Sequence, residues 1–208
     1  ALLRENFPQC EPIVGYTGAG SYSTNTDLDG IWRRRGVRQV RSVLGYPGRL
    51  APSRSLHLMV LVGFENERAQ SLIETMDPAR LSLGIGEKGK SVSNELYDHN
   101  RHFFERLQGF IRRIGRQSNL DTFEFSCIDP EEARDAVLKQ ASKFASFNTL
   151  VAPMNTKLST IGVGLAAFED DRLQVIYAQA GEYNEMGYSS PGPTATLCSL
   201  KLRHLSGL

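Results

Sequence analysis

The chain has 208 residues, with 24 Lys and Arg against 23 Asp and Glu and a formal net charge of +1, which excludes a global electrostatic attraction to nucleic acid or membrane. Its 40% hydrophobic and 23% charged residues are the balance of a water-soluble globular chain, enough for one large α/β domain or a domain with an appendage. Cys10, Cys127 and Cys198 offer neither a zinc spacing nor an even disulfide set, so a reduced, cytosolic compartment is expected, and no apolar run reaches the roughly 18–20 residues of a membrane helix.

Residues 1–55 read as an irregular N-terminal segment, and because the first residue is Ala1 rather than Met, it is expected to continue an upstream part. Gly15, Gly18 and Gly20 approach the glycine spacing of a dinucleotide-binding turn, with the third glycine misplaced. A polar run over residues 23–27 caps a predicted helix over residues 28–44. On that helix Arg34, Arg38 and Arg41 share one face, beside Trp32. Residues 1–60 hold eight arginines against four acids, so this face is the chain's candidate contact for nucleic-acid phosphates or a partner protein. Gly45-Tyr46-Pro47-Gly48 is a turn.

Residues 56–208 read as a Rossmann-like α/β domain. The run LHLMVLVGF at residues 56–64 is apolar nearly throughout, as a strand covered on both faces requires. A helix over residues 66–76 carries Ala69, Leu72, Ile73 and Met76 at helical spacing and stops at Asp77-Pro78. A short strand at residues 81–85 precedes a long amphipathic helix over residues 94–114. Residues 123–128 form the next strand. Asp129-Pro130-Glu131-Glu132 is a helix start, with an N-cap acid, proline at the first position and acids in the first turn; that helix runs to about Phe144. A strand reaching Pro153, a polar turn and a helix of small residues follow. Strands at residues 173–177 and 195–200, separated by a loop over residues 181–193, close the chain as an antiparallel edge or hairpin. Alternating strands and helices predict a doubly wound, mostly parallel sheet of about five to seven strands with helices on both faces.

Three segments carry candidate chemistry. Asn155-Thr156-Lys157, with Ser159, stands between a strand end and a helix start, where hydroxyls and free amides receive an anion and Lys157 adds a charge; simple helix capping by Asn155 or Thr156 is the competing reading. Gly84-Ile85-Gly86-Glu87-Lys88-Gly89-Lys90-Ser91 matches the P-loop spacing, in which Lys90 would reach phosphates and Ser91 would hold Mg2+. Glu65 and Asn66 follow another strand end and offer a second contact set. His99 and His102, three apart near Asp98 and Glu105, suit a solvated helix face better than a metal site. Cys127 has no histidine near it in sequence, and no catalytic residue is assigned. Glu182, Tyr183, Asn184, Tyr188, Ser189 and Ser190 occupy a loop that suits ligand contact or sheet packing equally.

The order of strand, Thr-Lys turn, small-residue helix and strand ending in tyrosine resembles the ligand-binding half of Rossmann-like nucleotide sensors, the CARF and SAVED-type domains of prokaryotic antiviral systems. The resemblance spans roughly residues 56–180 in architecture and Asn155, Thr156 and Lys157 in motif, where Pro153-Met154-Asn155 replace the usual glycines. It implies a sensory module that binds a nucleotide-like anion and works with a protein partner or as a homo-oligomer. A P-loop NTPase and a non-catalytic subunit docking through Arg34, Arg38 and Arg41 are the alternatives. Mg2+ enters only with the NTPase, and no other cofactor is expected.

Overall fold

The computed structural model describes residues 13–22, 34–183 and 189–199. In chain order these hold β1 (Ile13–Tyr22), β2 (Arg34–Ser42), β3 (Leu56–Leu61), α1 (Asn66–Met76), β4 (Arg80–Gly86), α2 (Asn94–Arg113), β5 (Leu120–Phe125), α3 (Pro130–Ser142), β6 (Asn148–Pro153), α4 (Lys157–Glu169), β7 (Leu173–Tyr183) and β8 (Ser189–Ser199). They divide into two compact units, Ala1–Ser23 with Gly187–Leu208, and Thr24–Met186. The expected break at residue 55 is not where the units part, because β2 belongs to the larger one.

In the smaller unit β1 pairs antiparallel with β8, Ile13 opposite Ser199 and Tyr22 opposite Ser189. The run containing Gly15, Gly18 and Gly20 is therefore a strand and not a dinucleotide-binding turn. Its glycines admit the partner strand: a Cβ on Gly20 would lie 3.0 Å from the Gly192 Cα.

The larger unit is a mixed α/β structure around a six-stranded sheet of order β2-β7-β6-β3-β4-β5, parallel except for β2, which runs antiparallel to β7. Side chains alternate between two faces. Leu58, Val60, Leu83 and Leu150 pack with Leu72 and Ile73 of α1 and Leu107 and Ile111 of α2. Met59, Leu61, Val151 and Val175 pack with Val137 of α3 and Val163 of α4. Burial on both faces is why β3 has no polar alternation, and each such aliphatic side chain contributes about 1.5–3 kcal/mol.

Local signals set the helix bounds. Asp77, at φ 43°, ends α1 in the left-handed region, its amide donating to the Ile73 carbonyl at 3.0 Å. Ser93 caps α2 by accepting from the Leu96 amide at 3.1 Å. Asp129 caps α3, its Oδ1 accepting from the Glu131 and Glu132 amides at 2.8 and 3.1 Å.

Three expectations are corrected here. Residues 34–42 are a strand rather than part of a basic helix; residues 28–33 lie outside the described residues. The register shifts between Val37 and Gln39, a bulge that leaves both Val37 and Val40 against the α1/α2 face. The two closing strands are not partners: β7 takes β2 and β8 takes β1. Residues expected in a loop, Glu182, Tyr183, Ser189 and Ser190, lie in these strands, while Asn184 and Tyr188 fall outside the described residues.

Along the chain, α1 and α2 link β3, β4 and β5 on one face; α3 and α4 then link β5, β6 and β7 on the other. The strand order reverses between neighbouring β3 and β6. In open α/β sheets such a reversal is the usual place for a ligand-binding crevice.

Candidate functional site

The carboxyl ends of β3 and β6 meet at close range. The Val62 carbonyl accepts from two carboxamides, Asn155 Nδ2 at 2.5 Å and Asn100 Nδ2 at 2.8 Å. Asn100 Oδ1 accepts from the Gly86 amide at 3.1 Å, which joins the end of β4 to the same point. Gly63 touches the partner strand's exit: a Cβ there would stand 1.8 Å from the Met154 carbonyl oxygen, which only the absence of a side chain permits.

Most of the donors expected for an anion at the start of α4 are engaged. Asn155 Oδ1 accepts from the Thr156 amide at 2.8 Å. Thr156 Oγ1 accepts from the Ser159 amide at 3.1 Å, closing the cap, and donates to the Cys127 carbonyl at 2.7 Å. Ser159 is fully buried and its hydroxyl donates to the Thr156 carbonyl at 2.9 Å. Lys157 differs. It is exposed at the first position of α4 and, among the described residues, has no carboxylate at ion-pair distance. The cap on Ser159 leaves the Lys157 and Leu158 amides as the orphan donors of that terminus. The small residues of α4 serve helix packing: a Cβ on Gly162 would lie 2.6 Å from the Pro130 carbonyl oxygen in α3.

The start of α1 lies directly after β3. Glu65 holds the cap position but makes no cap hydrogen bond; its carboxylate pairs with Arg68 instead. Arg68 is 3% exposed, donates from Nε to the Ala178 carbonyl at 3.1 Å and lies 5.5 Å from the Tyr177 ring centroid, tying α1 to β7. Asn66 is buried and its carboxamide has no hydrogen-bond partner among the described residues. Phe64 packs edge-on to Phe103 at 5.8 Å and to His99 at 6.5 Å between ring centroids.

Residues 84–91 do not form the wrapped loop that the P-loop spacing predicts. Gly84 and Gly86 are inside β4, and Gly84 makes room for an aromatic ring, since a Cβ would meet Phe123 at 2.7 Å. The helix begins only at Asn94. Lys90 pairs with Glu87 at 3.0 Å and Glu132 at 3.4 Å, and the Glu87 hydrogen bond leads the interactions that hold its ammonium above the ordinary value. Ser91 donates to the Glu87 carbonyl at 2.9 Å. Burial pushes the Cys127 thiol up to about 11, against a Ser91 hydrogen bond that lowers it, so the thiolate is scarce at neutral pH.

His99 and His102 are exposed on α2, and no group of three or more metal-binding side chains occurs among the described residues. Arg38 and Arg41 are exposed on β2, an edge strand of the sheet that also contains Arg34. The site residues that sequence reasoning missed are Asn100 and Arg68. Each had a signal, a polar residue at an apolar helical position: Asn100 lies between Leu96 and Phe103, and Arg68 lies four before Leu72. No helix among the described residues is long and apolar enough to cross a membrane. Compared with protein-family models and with curated proteins, the chain matches none.

Proposed function

We propose that the larger unit is a Rossmann-like, doubly wound sensory or regulatory domain that binds a nucleotide-like anion in the crevice between β3 and β6. One observation carries the reading: two helix starts, of α1 and α4, follow the two strands at which the order reverses, and Lys157 stands there with an unpaired ammonium among the described residues. Each helix N-terminus carries about half a positive charge and a set of unbonded amides, and the lysine adds a full charge beside them. The thiol of Cys127, whose carbonyl accepts from Thr156, is buried and held protonated, which suits binding better than nucleophilic work. The resemblance of the Asn155-Thr156-Lys157 turn to CARF and SAVED-type sensors supports a role within a larger assembly of the antiviral-defence kind.

Titration calorimetry against nucleotides tests the site. Lys157→Ala is expected to weaken binding by roughly 10–100-fold, the worth of one charge-assisted contact, with the fold unchanged. Equal affinity of variant and wild type refutes the assignment. The NTPase reading has no comparable support, because Lys90 and Ser91 are spent on Glu87 and its neighbours.

A further inference from the structure

The six-stranded sheet ends in β2 on one side and β5 on the other, and among the described residues no strand lies beyond either. Neither strand contains a proline that would blunt its edge. Their charges are opposite. β2 carries Arg34, Arg35, Arg38 and Arg41 and no acid, whereas β5 carries Asp121 and Glu124 and no base. Arg38, Arg41 and Glu124 are exposed and have no ion-pair partner among the described residues. Asp121 is already held by Gln140 at 2.7 Å, Lys143 at 3.3 Å and the Thr122 amide, which makes Glu124 the freer acid.

The inner pairing decides which backbone groups face outward. The Phe125 carbonyl accepts from the Glu87 amide at 2.9 Å, on the β4 side, so alternation turns the groups of Thr122 and Glu124 away from β4. The Val43 amide donates to the Val175 carbonyl at 2.9 Å, on the β7 side, so those of Val40 and Ser42 turn away from β7. β2 runs against the other strands, and two copies in the same orientation therefore bring β5 and β2 together antiparallel. Setting Thr122 opposite Val40 matches outward groups with outward groups. It also keeps the faces in line, since Val40 belongs to the α1/α2 face and Thr122 alternates with Phe123 of the α3/α4 face. That same register sets Asp121 opposite Arg41 and Glu124 opposite Arg38, because acids and arginines share one spacing. Arg38 is the residue of the β2 bulge that has no partner on β7.

We infer that β2 of one copy of this chain pairs antiparallel with β5 of the next, so that the sheet runs on from subunit to subunit through Arg38 with Glu124 and Arg41 with Asp121. Opposite charges across an antiparallel pair attract, and like charges keep β2 from pairing with β2 and β5 with β5. The contact joins two different surfaces, so each added subunit presents a fresh edge and assembly continues beyond a dimer. The inference is independent of the ligand reading above.

Sedimentation of the full chain tests this, alongside urea unfolding. In low salt the mean mass of the wild type should rise about twofold or more between about 1 and about 100 μM protein, and fall back when salt is raised to about 0.5 M. Arg38→Glu and Glu124→Arg should each stay monomeric, with urea midpoints close to that of the wild type. A mixture of the two should assemble, because every edge of one variant then meets an opposite charge on the other. The double variant should assemble alone. A wild type that stays monomeric, or that forms a salt-insensitive dimer, overturns the inference. So does assembly that persists in both single variants, or a mixture that stays monomeric while both variants are folded. Should a charge reversal prevent folding, Arg38→Gln and Glu124→Gln take its place: each should weaken assembly severalfold, and assembly equal to that of the wild type overturns the inference.

Discussion

Acid is expected to destabilise this fold through His57. The residue is fully enclosed at the amino-terminal end of β3, with Nδ1 3.2 Å from Thr149 Oγ1, Nε2 2.8 Å from Ser82 Oγ, and the ring 4.5 Å from that of Phe144 between centroids. Burial first, then the Arg80 guanidinium, push its pKa from 6.5 down to about 4, against an upward pull from Asp121. The folded protein therefore favours the neutral ring, while the unfolded chain takes up a proton near pH 6.5. Stability is complete above that pH and is lost as the pH falls toward about 4. At 1.36 kcal/mol per pKa unit the full loss is about 3 kcal/mol, of which about 2 kcal/mol is gone by about pH 5. Asp121 acts in a lower window: burial raises its pKa, but hydrogen bonds from Gln140, Lys143 and the Thr122 amide outweigh this and hold it below the usual carboxylate value. Urea unfolding at about pH 7.5 and about pH 5 is the assay, on the wild type and on His57→Gln, whose amide can bond both hydroxyls and does not titrate. The wild type should lose about 2 kcal/mol over that interval and the variant much less. An equal loss in both would refute the assignment of the acid sensitivity to this ring.

Two substitutions where β3 and β6 end separate architecture from binding. Gly63→Ala drives a Cβ into the Met154 carbonyl and should cost about 3 kcal/mol in urea unfolding, whereas Gly89→Ala, with open space around it, should be near neutral; similar values for both would show that the two strand ends are free to part. Thr156→Ala removes the α4 cap and the bond to the Cys127 carbonyl, and should lower stability by about 1–2 kcal/mol, with Thr156→Ser restoring most of it; unchanged stability with lost ligand binding would make Thr156 a ligand contact instead.

What could be read from the sequence was whatever is specified locally. The bounds of α1, Asn66–Met76, follow from its apolar spacing and the Asp77-Pro78 stop, and the Asp129-Pro130 start of α3 has the cap it announces. The sequence of β2 suggests a helix for a physical reason. Arg34, Arg38 and Arg41 fall at helical spacing, whereas the strand character of the segment comes from β7, far along the chain, and its bulge sets Val37 and Val40 on one side. β1 is hidden for the same cause, since its glycines are poor strand formers until β8 supplies the partner. At the site, the position of Asn155, Thr156 and Lys157 between strand and helix was legible. Which of their atoms would already be occupied was not, because the Val62 and Cys127 carbonyls that take Asn155 and Thr156 come from other strand ends. The polar cluster around His57 left only faint marks, single polar residues such as Ser82 and Thr149 within apolar strands.

The pairing of β2 with β7 also sets a timetable. Gln39 Nε2 donates to Gln179 Oε1 at 2.9 Å across 140 residues of chain, whereas the parallel pairs β3–β4, β4–β5 and β6–β7 are each joined through one α-helix. Closing so long a loop carries a larger entropy cost, and long-range pairing is slow, so this edge of the sheet is expected to be completed last. During synthesis β2 leaves the ribosome well before β7 exists and waits with its backbone groups unpaired. Arg38 and Arg41, exposed on that strand, repel a second copy of the same segment during the interval. On this argument the arginines are expected to act before the protein has folded, and Arg38→Ser/Arg41→Ser chains should aggregate more during refolding than the wild type.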